Sequence, residues 1–102
     1  MTKIHVPFNS WSKDKLKKGL KHATSRNKKY GNPGDTFQVE DKTYKLEMVV
    51  KLPLEFIAKE LYNSEGCRDQ YEFMKVWKDI HPRAGWTPDK MVWYHYFREV
   101  KK

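Results

Sequence analysis

Apolar and polar positions alternate most regularly between Lys42 and Leu52. Tyr44, Leu46, Met48, Val50 and Leu52 fall on one side there, and Thr43, Lys45, Glu47 and Lys51 on the other. A period of two belongs to a strand with one buried face, and Val49 is its one departure on the polar side. Glu40-Asp41 just upstream predicts a turn that pairs this strand with a second over Thr36 to Val39. Met91 to Val100 is apolar or aromatic on both faces at first, the pattern of a strand covered from both sides. Ile4 to Phe8 predicts a short edge strand or a strand end, because Pro7 cannot donate to a ladder.

Helical signals lie between these segments. Ser12 reads as an N-cap, with Trp11 and Leu16 at the N′ and N4 positions of a hydrophobic staple. Gly19 suits the left-handed position after a short helix over Lys13 to Lys18. Pro53 fits a first helical turn, and Leu54, Ile57, Ala58 and Leu61 follow at helical spacing. A loop over Asn63-Ser64-Glu65-Gly66 separates this helix from another, opened by Asp69 with Glu72 as a capping box. The apolar stripe of that helix is Phe73, Val76, Trp77 and Ile80, and Pro82 stops it. Gly31-Asn32-Pro33-Gly34-Asp35 and Gly85-Trp86-Thr87-Pro88-Asp89 are turns. With no repeat or linker, 1–102 reads as a single α+β domain. Closing the sheet would remove edge strands, so the expected architecture is a small β-barrel with about three short helices.

Composition narrows the class. Apolar residues at 38% and charged residues at 33% fit a folded domain rather than a disordered or membrane-embedded chain. Four Trp, six Tyr and five Phe can fill a small core with few side chains. No apolar run approaches the roughly 18 to 20 residues of a membrane span, and no signal-peptide segment opens the chain. Cys67 is the sole cysteine, which excludes an internal disulfide and a Cys-based zinc cage. The expectation is a soluble, cytoplasmic domain with no membrane partner; a monomer is compatible with it.

Charge points to the partner. Residues 1–31 hold nine basic side chains against Asp14 alone, while 32–102 carry twelve of each sign, so the whole excess of +8 sits in the first third. A concentrated positive field favours a polyanion or phosphorylated ligand, helped by counterion release; a solvated face that aids solubility is the plainer reading.

Gly19-Leu20-Lys21-His22-Ala23-Thr24-Ser25-Arg26 resembles the G-x-K-x-x-[TE]-x-R signature of the ASCH family. Gly34-Asp35 before a strand, Leu61 to Gly66, Trp77 to Pro82 and the closing Val92 to Phe97 segment are similar to that family in the same order. The resemblance implies a PUA-like barrel with a cleft and an association with RNA. One branch of the family comprises small amidohydrolases that remove the acetyl group of N4-acetylcytidine with a Lys-Thr-Glu constellation. By motif position these correspond to Lys21, Thr24 and Glu65. The alternatives that the resemblance leaves are a non-catalytic RNA-binding module and a metal-independent ribonuclease.

The residues support a chemistry of their own. Amide hydrolysis needs a nucleophile, a base and a group that stabilises the oxyanion. Thr24 could supply the hydroxyl, and Lys21 could deprotonate it if neighbouring cations or burial keep it neutral. Glu65 could pass a proton to the leaving amine or hold a cytosine amino group. Arg26 is a candidate anchor for a phosphate or carbonyl oxygen, and Lys18, Lys28 and Lys29 are candidates for RNA or nucleoside binding. Lys21 and Thr24 can converge only if the chain from 21 to 24 is not one extended strand. Each also has a structural reading: Lys21 meeting helix-end carbonyls, Thr24 an ordinary strand residue, Glu65 a loop charge before a helix, Arg26 a surface charge. His5, His22, His81 and His95 lack metal-ligand spacing, so no metal and no cofactor is expected. Cys67 reads as an incidental thiol, and Trp86, Trp93 and Tyr94 are candidates for stacking bases.

Overall fold

The computed structural model describes residues 2–101. Three helices and four strands follow in the order α1 (Ser10–Lys17), β1 (Ala23–Arg26), β2 (Thr36–Val39), β3 (Lys42–Pro53), α2 (Leu54–Glu60), α3 (Gln70–Ile80) and β4 (Met91–Val100). All neighbouring strands are antiparallel and the sheet order is β1-β4-β3-β2. The sheet curls into a half-barrel, and with the three helices it gives the α+β class read from the sequence. No pairing closes β1 onto β2 among the described residues, so β1 keeps one free edge. No helix among them is long and apolar enough to cross a membrane.

The hairpin, α3 and β4 form where the pattern places them. The alternation along β3 does not keep one phase, however. A bulge between Leu46 and Met48 shifts the register against β4, where Leu46 faces Phe97 and Met48 faces Tyr96. An extra residue in one strand flips every later side chain to the other face. Tyr44 and Leu46 therefore pack with Phe37 and Phe97 in one core, and Val50 and Leu52 pack with Tyr94 and Val92 in another. Val49 joins the first core, and Met48 is left exposed. The five apolar residues expected on one face are divided between two.

The N-terminal expectations need correction. Ile4 to Phe8 forms no strand: a single parallel bridge links Lys3 to Thr36, and the segment past it gives Val6 and Phe8 to a core instead. The cap of α1 is Asn9, whose side-chain oxygen accepts from the Ser12 N–H at 2.9 Å, so the helix opens earlier than Lys13. Trp11 then lies within the helix and is no N′ staple. The end of α1 is as read: Gly19 has φ 74°, its N–H reaches Leu16 O at 3.1 Å and that of Leu20 reaches Lys15 O at 2.9 Å. This paired closure needs a residue that adopts positive φ freely. Strand β1 carried no sequence signal, because Ala-Thr-Ser-Arg is short and without apolar alternation; pairing with β4 imposes it.

His95 fastens β1 to the segment that follows it. The ring is 1% exposed; Nε2 accepts from the Tyr30 N–H at 3.1 Å, which leaves Nδ1–H to donate to the Thr24 carbonyl at 3.2 Å. Burial pushes the His95 pKa below its ordinary value. The unfolded chain takes up a proton near the usual value of about 6.5, where the folded ring still refuses it. Stability is accordingly lost as pH falls through that value. The urea midpoint is expected to drop between pH 7 and 5.5, and His95→Gln, which does not titrate, should flatten the drop. An unchanged pH slope in that variant would contradict the assignment.

Candidate active site

Two chain segments remote in sequence meet along the free edge of β1. The first runs from the Gly19 turn into β1, and places Lys21 before the strand, which begins at Ala23. Lys21 and Thr24 therefore do not share one extended strand, and the geometric condition on their convergence is met. The second is the loop between α2 and α3. Its N–H groups at Glu65, Gly66 and Cys67 bond back to Tyr62 and Asn63 carbonyls, and Gly66 turns at φ 91°. A Cβ at Gly66 would stand 3.3 Å from Lys21 Cβ and 3.2 Å from Lys15 Cβ, so both conformation and space demand glycine there. The His22 N–H donates to Ser64 O at 2.6 Å, and the Ser64 hydroxyl lies 2.6 Å from the Tyr94 hydroxyl, which ties the loop to β4.

The result is a buried ion pair. Lys21 Nζ lies 3.3 Å from Glu65 Oε1 and donates to the Glu65 carbonyl at 3.1 Å, with both side chains at most 5% exposed. The other carboxylate oxygen accepts from the Ser25 hydroxyl at 2.6 Å. Thr24 is equally buried, and its Oγ1 accepts from Arg26 Nε at 3.0 Å, which leaves the Thr24 hydroxyl proton free for another acceptor. Successive strand side chains point to opposite faces. Thr24 and Ser25 nevertheless line the same cavity, because β1 is an edge strand and the cavity follows its open side.

That cavity measures about 680 Å³, the size of a small-molecule site. Lys21, Thr24, Glu65, Arg26 and Lys28 all line it. Lys18 does not: it stands on solvent, paired with Asp14 at 3.0 Å. Lys29 is exposed and outside the lining too. Of the lysines expected around Lys21, Lys15 approaches the same Trp11 ring, at 5.4 Å against 5.9 Å for Lys21. The nearest charged group to Lys21 Nζ is a carboxylate rather than a cation. Arg26 is clamped between the Phe8 and Tyr30 rings, 5.0 and 5.2 Å from their centres, and donates to the Pro7 carbonyl. Burial lowers its pKa, with Tyr30 and Glu65 acting the other way; an arginine stays charged nonetheless.

Much of the remaining lining is an aromatic wall, with several of its rings set against the charged groups. Phe8, Trp11, Tyr30, Phe73 and Trp77 supply it, with Val76 and Ile80 from the solvent side of the α3 stripe. None of the stacking candidates Trp86, Trp93 and Tyr94 lines the cavity: Trp86 packs edge-on against Phe73, and Tyr94 is 1% exposed in the core. Sequence reasoning missed Ser25 and this wall. Ser25 sat inside the motif between two chosen residues, so its position was the available signal; the wall joins side chains from four segments and left none. Trp77 Nε1 is the one buried side-chain polar atom without a partner among the described residues. No cluster able to hold a metal ion forms among them.

In sequence, no family model and no curated protein matches the chain. In structure, it is similar to an ASCH domain from Lactobacillus crispatus JV V101, with a TM-score of 0.77 and 13% identity over 96% of this chain and 79% of that one. It is also similar to the hypothetical protein PH0355, with a TM-score of 0.70 and 16% identity over 98% of this chain and 100% of that one. Protein EF3133 from Enterococcus faecalis V583, of family DUF984, aligns with a TM-score of 0.64 and 16% identity over 98% and 81%. The chain therefore has the fold of an ASCH domain, as the motif order implied.

Cys67 also faces the cavity, but burial, aided by Glu65, pushes its thiol up to about 12. A thiol so protonated is a poor nucleophile at neutral pH. The folded protein at pH 8 is expected to take up iodoacetamide at least about tenfold more slowly than the urea-unfolded chain. Equal rates would show that the site is open and its thiolate populated.

Proposed function

We propose that the cavity receives a cytidine derivative and hydrolyses the amide of N4-acetylcytidine. One observation supports this reading: Lys21 and Glu65, 44 positions apart, join Thr24 in the lining of one cavity that also holds the rings of Phe8, Trp11, Tyr30, Phe73 and Trp77. Flat aromatic walls suit a nucleobase, and a nucleophile, a base and a proton donor are the parts that amide cleavage needs.

The proposed steps use the contacts of Lys21 with Glu65 and of Arg26 with Thr24, and require Lys21 to reach the Thr24 hydroxyl. Lys21 passes a proton to Glu65 across their 3.3 Å contact and becomes a free amine. Thr24 Oγ, oriented by the Arg26 N–H, then attacks the acetyl carbonyl carbon as its proton moves to Lys21. Lys21 as an ammonium and Arg26 face the developing oxyanion. The C–N bond breaks, Glu65 returns its proton to the departing N4 nitrogen, and cytidine leaves. Water hydrolyses the acetyl ester on Thr24, releases acetate and a proton to solvent, and restores the hydroxyl. Charge and protons balance over the cycle.

A second reading is a module that grips RNA without chemistry. The engagement of Lys21 with Glu65 rather than with Thr24 favours it. Product analysis separates the two. Incubation with N4-acetylcytidine is expected to release cytidine, and Thr24→Val should slow release by about a thousandfold or more while leaving ligand affinity within a few-fold. An absence of cytidine at enzyme concentrations equal to substrate, or full activity in Thr24→Val, would favour the binding module.

A further inference from the structure

The cavity uses only one end of a longer basic and aromatic row. Arg26 on β1 lies directly opposite Trp93 on β4, and Trp93 lies opposite Lys51 on β3. Directly paired residues of antiparallel strands project from the same face, about 5 Å apart. Arg26, Trp93 and Lys51 therefore form one line across three strands, starting at the cavity. Lys29 joins it from the segment after β1: its Nζ lies 5.5 Å from the centre of the Trp93 ring, and that of Lys51 lies 5.6 Å from the same ring. Lys28 covers Tyr30 at 4.8 Å, beside Arg26. No carboxylate is paired with any of these four cations among the described residues.

Cations without acidic partners, spaced along aromatic rings, have the chemistry of a surface for single-stranded nucleic acid. Phosphates take the cations and an unpaired base takes the ring. The exchange is favourable in magnitude. A base stacked on an aromatic ring gains more than an exposed ammonium over that ring does. Lysines that shield Trp93 in the free protein lose little by turning toward phosphates.

We propose that this row extends the cavity into a docking track for single-stranded RNA. One base enters the cavity, and its neighbour stacks on Trp93. Lys28, Lys29, Lys51 and the outer side of Arg26 take the phosphates. The choice of RNA rests on the cytidine reading of the cavity, and it deepens that reading by making a strand rather than a free nucleoside the preferred ligand.

The test uses a fluorescently labelled hexamer of unmodified oligocytidylate RNA and the full chain. Binding is expected, and both Trp93→Ala and the Lys29→Ala/Lys51→Ala double variant should weaken it about tenfold. The double variant should also reduce the slope of log affinity against log salt by about 1.4. A charge-matched control, Lys59→Ala/Lys75→Ala, removes two cations from α2 and α3 and should change affinity less than about twofold. The exposed lysine variants keep the fold testable should Trp93→Ala be unstable. No binding at 100 µM (roughly the weak end of non-specific affinity), equal loss in the control, or equal affinity for an RNA duplex would overturn the track. Hydrolysis of free N4-acetylcytidine is scored separately: turnover without strand binding sinks the track alone, and Trp93-dependent binding without turnover sinks the amidohydrolase alone.

Discussion

Everything at the site depends on one ammonium and one carboxylate removed from water together. Lys21 arrives from the turn after α1 and Glu65 from the loop between α2 and α3, and the sheet brings the two segments side by side. Desolvating such a pair costs several kcal/mol per ion, and its mutual attraction roughly offsets that cost only when the remaining polar atoms are also satisfied. Here they are, by the Glu65 carbonyl and the Ser25 hydroxyl. An apolar pair of the same size would often serve stability as well or better. A buried pair open to a cavity is thus poorly explained by stability alone, and charge placed where a ligand sits is the more economical account.

The rest of the structure serves to hold that pair against an open edge. The bulge at Leu46/Met48 lets one long strand feed two cores, so the sheet is covered on both faces. His95 secures the Thr24 carbonyl from one of those faces, and Tyr94 secures the Glu65 loop through Ser64 from the other. Adjacent residues of β4 thereby fix the two halves of the site. The free edge of β1 then presents Thr24 and Ser25 to the same space, which a strand in the sheet interior could not do.

Much of this was legible in the sequence, for reasons that differ by element. The hairpin, α3 and β4 announce themselves because turn residues, a capping pair and a proline bound strongly patterned segments. Lys21, Thr24, Glu65 and Arg26 stood out through motif position, and the fold brings all four to one cavity. The bulge was hard to see, since Tyr44 to Leu52 alternates on paper apart from one position and the slip depends on what β4 offers opposite. Val49, out of phase, was its trace. Strand β1 lacked any pattern because its pairing comes from elsewhere. That Lys18 and Lys29 lie outside the cavity was not legible because linear charge density does not say which lysine turns outward, nor was the aromatic wall, because its rings come from separate segments.

The account is tested most directly by replacing the ion pair with a neutral one, Lys21→Met/Glu65→Gln, and following N4-acetylcytidine turnover alongside the unfolding midpoint. Glutamine keeps an acceptor for Ser25, and methionine fills much of the lysine's volume. The account predicts a fold nearly as stable as the parent and no turnover, against a loss of about 3 kcal/mol for Lys21→Met alone. A double variant that turns over substrate at the parent's rate would contradict it.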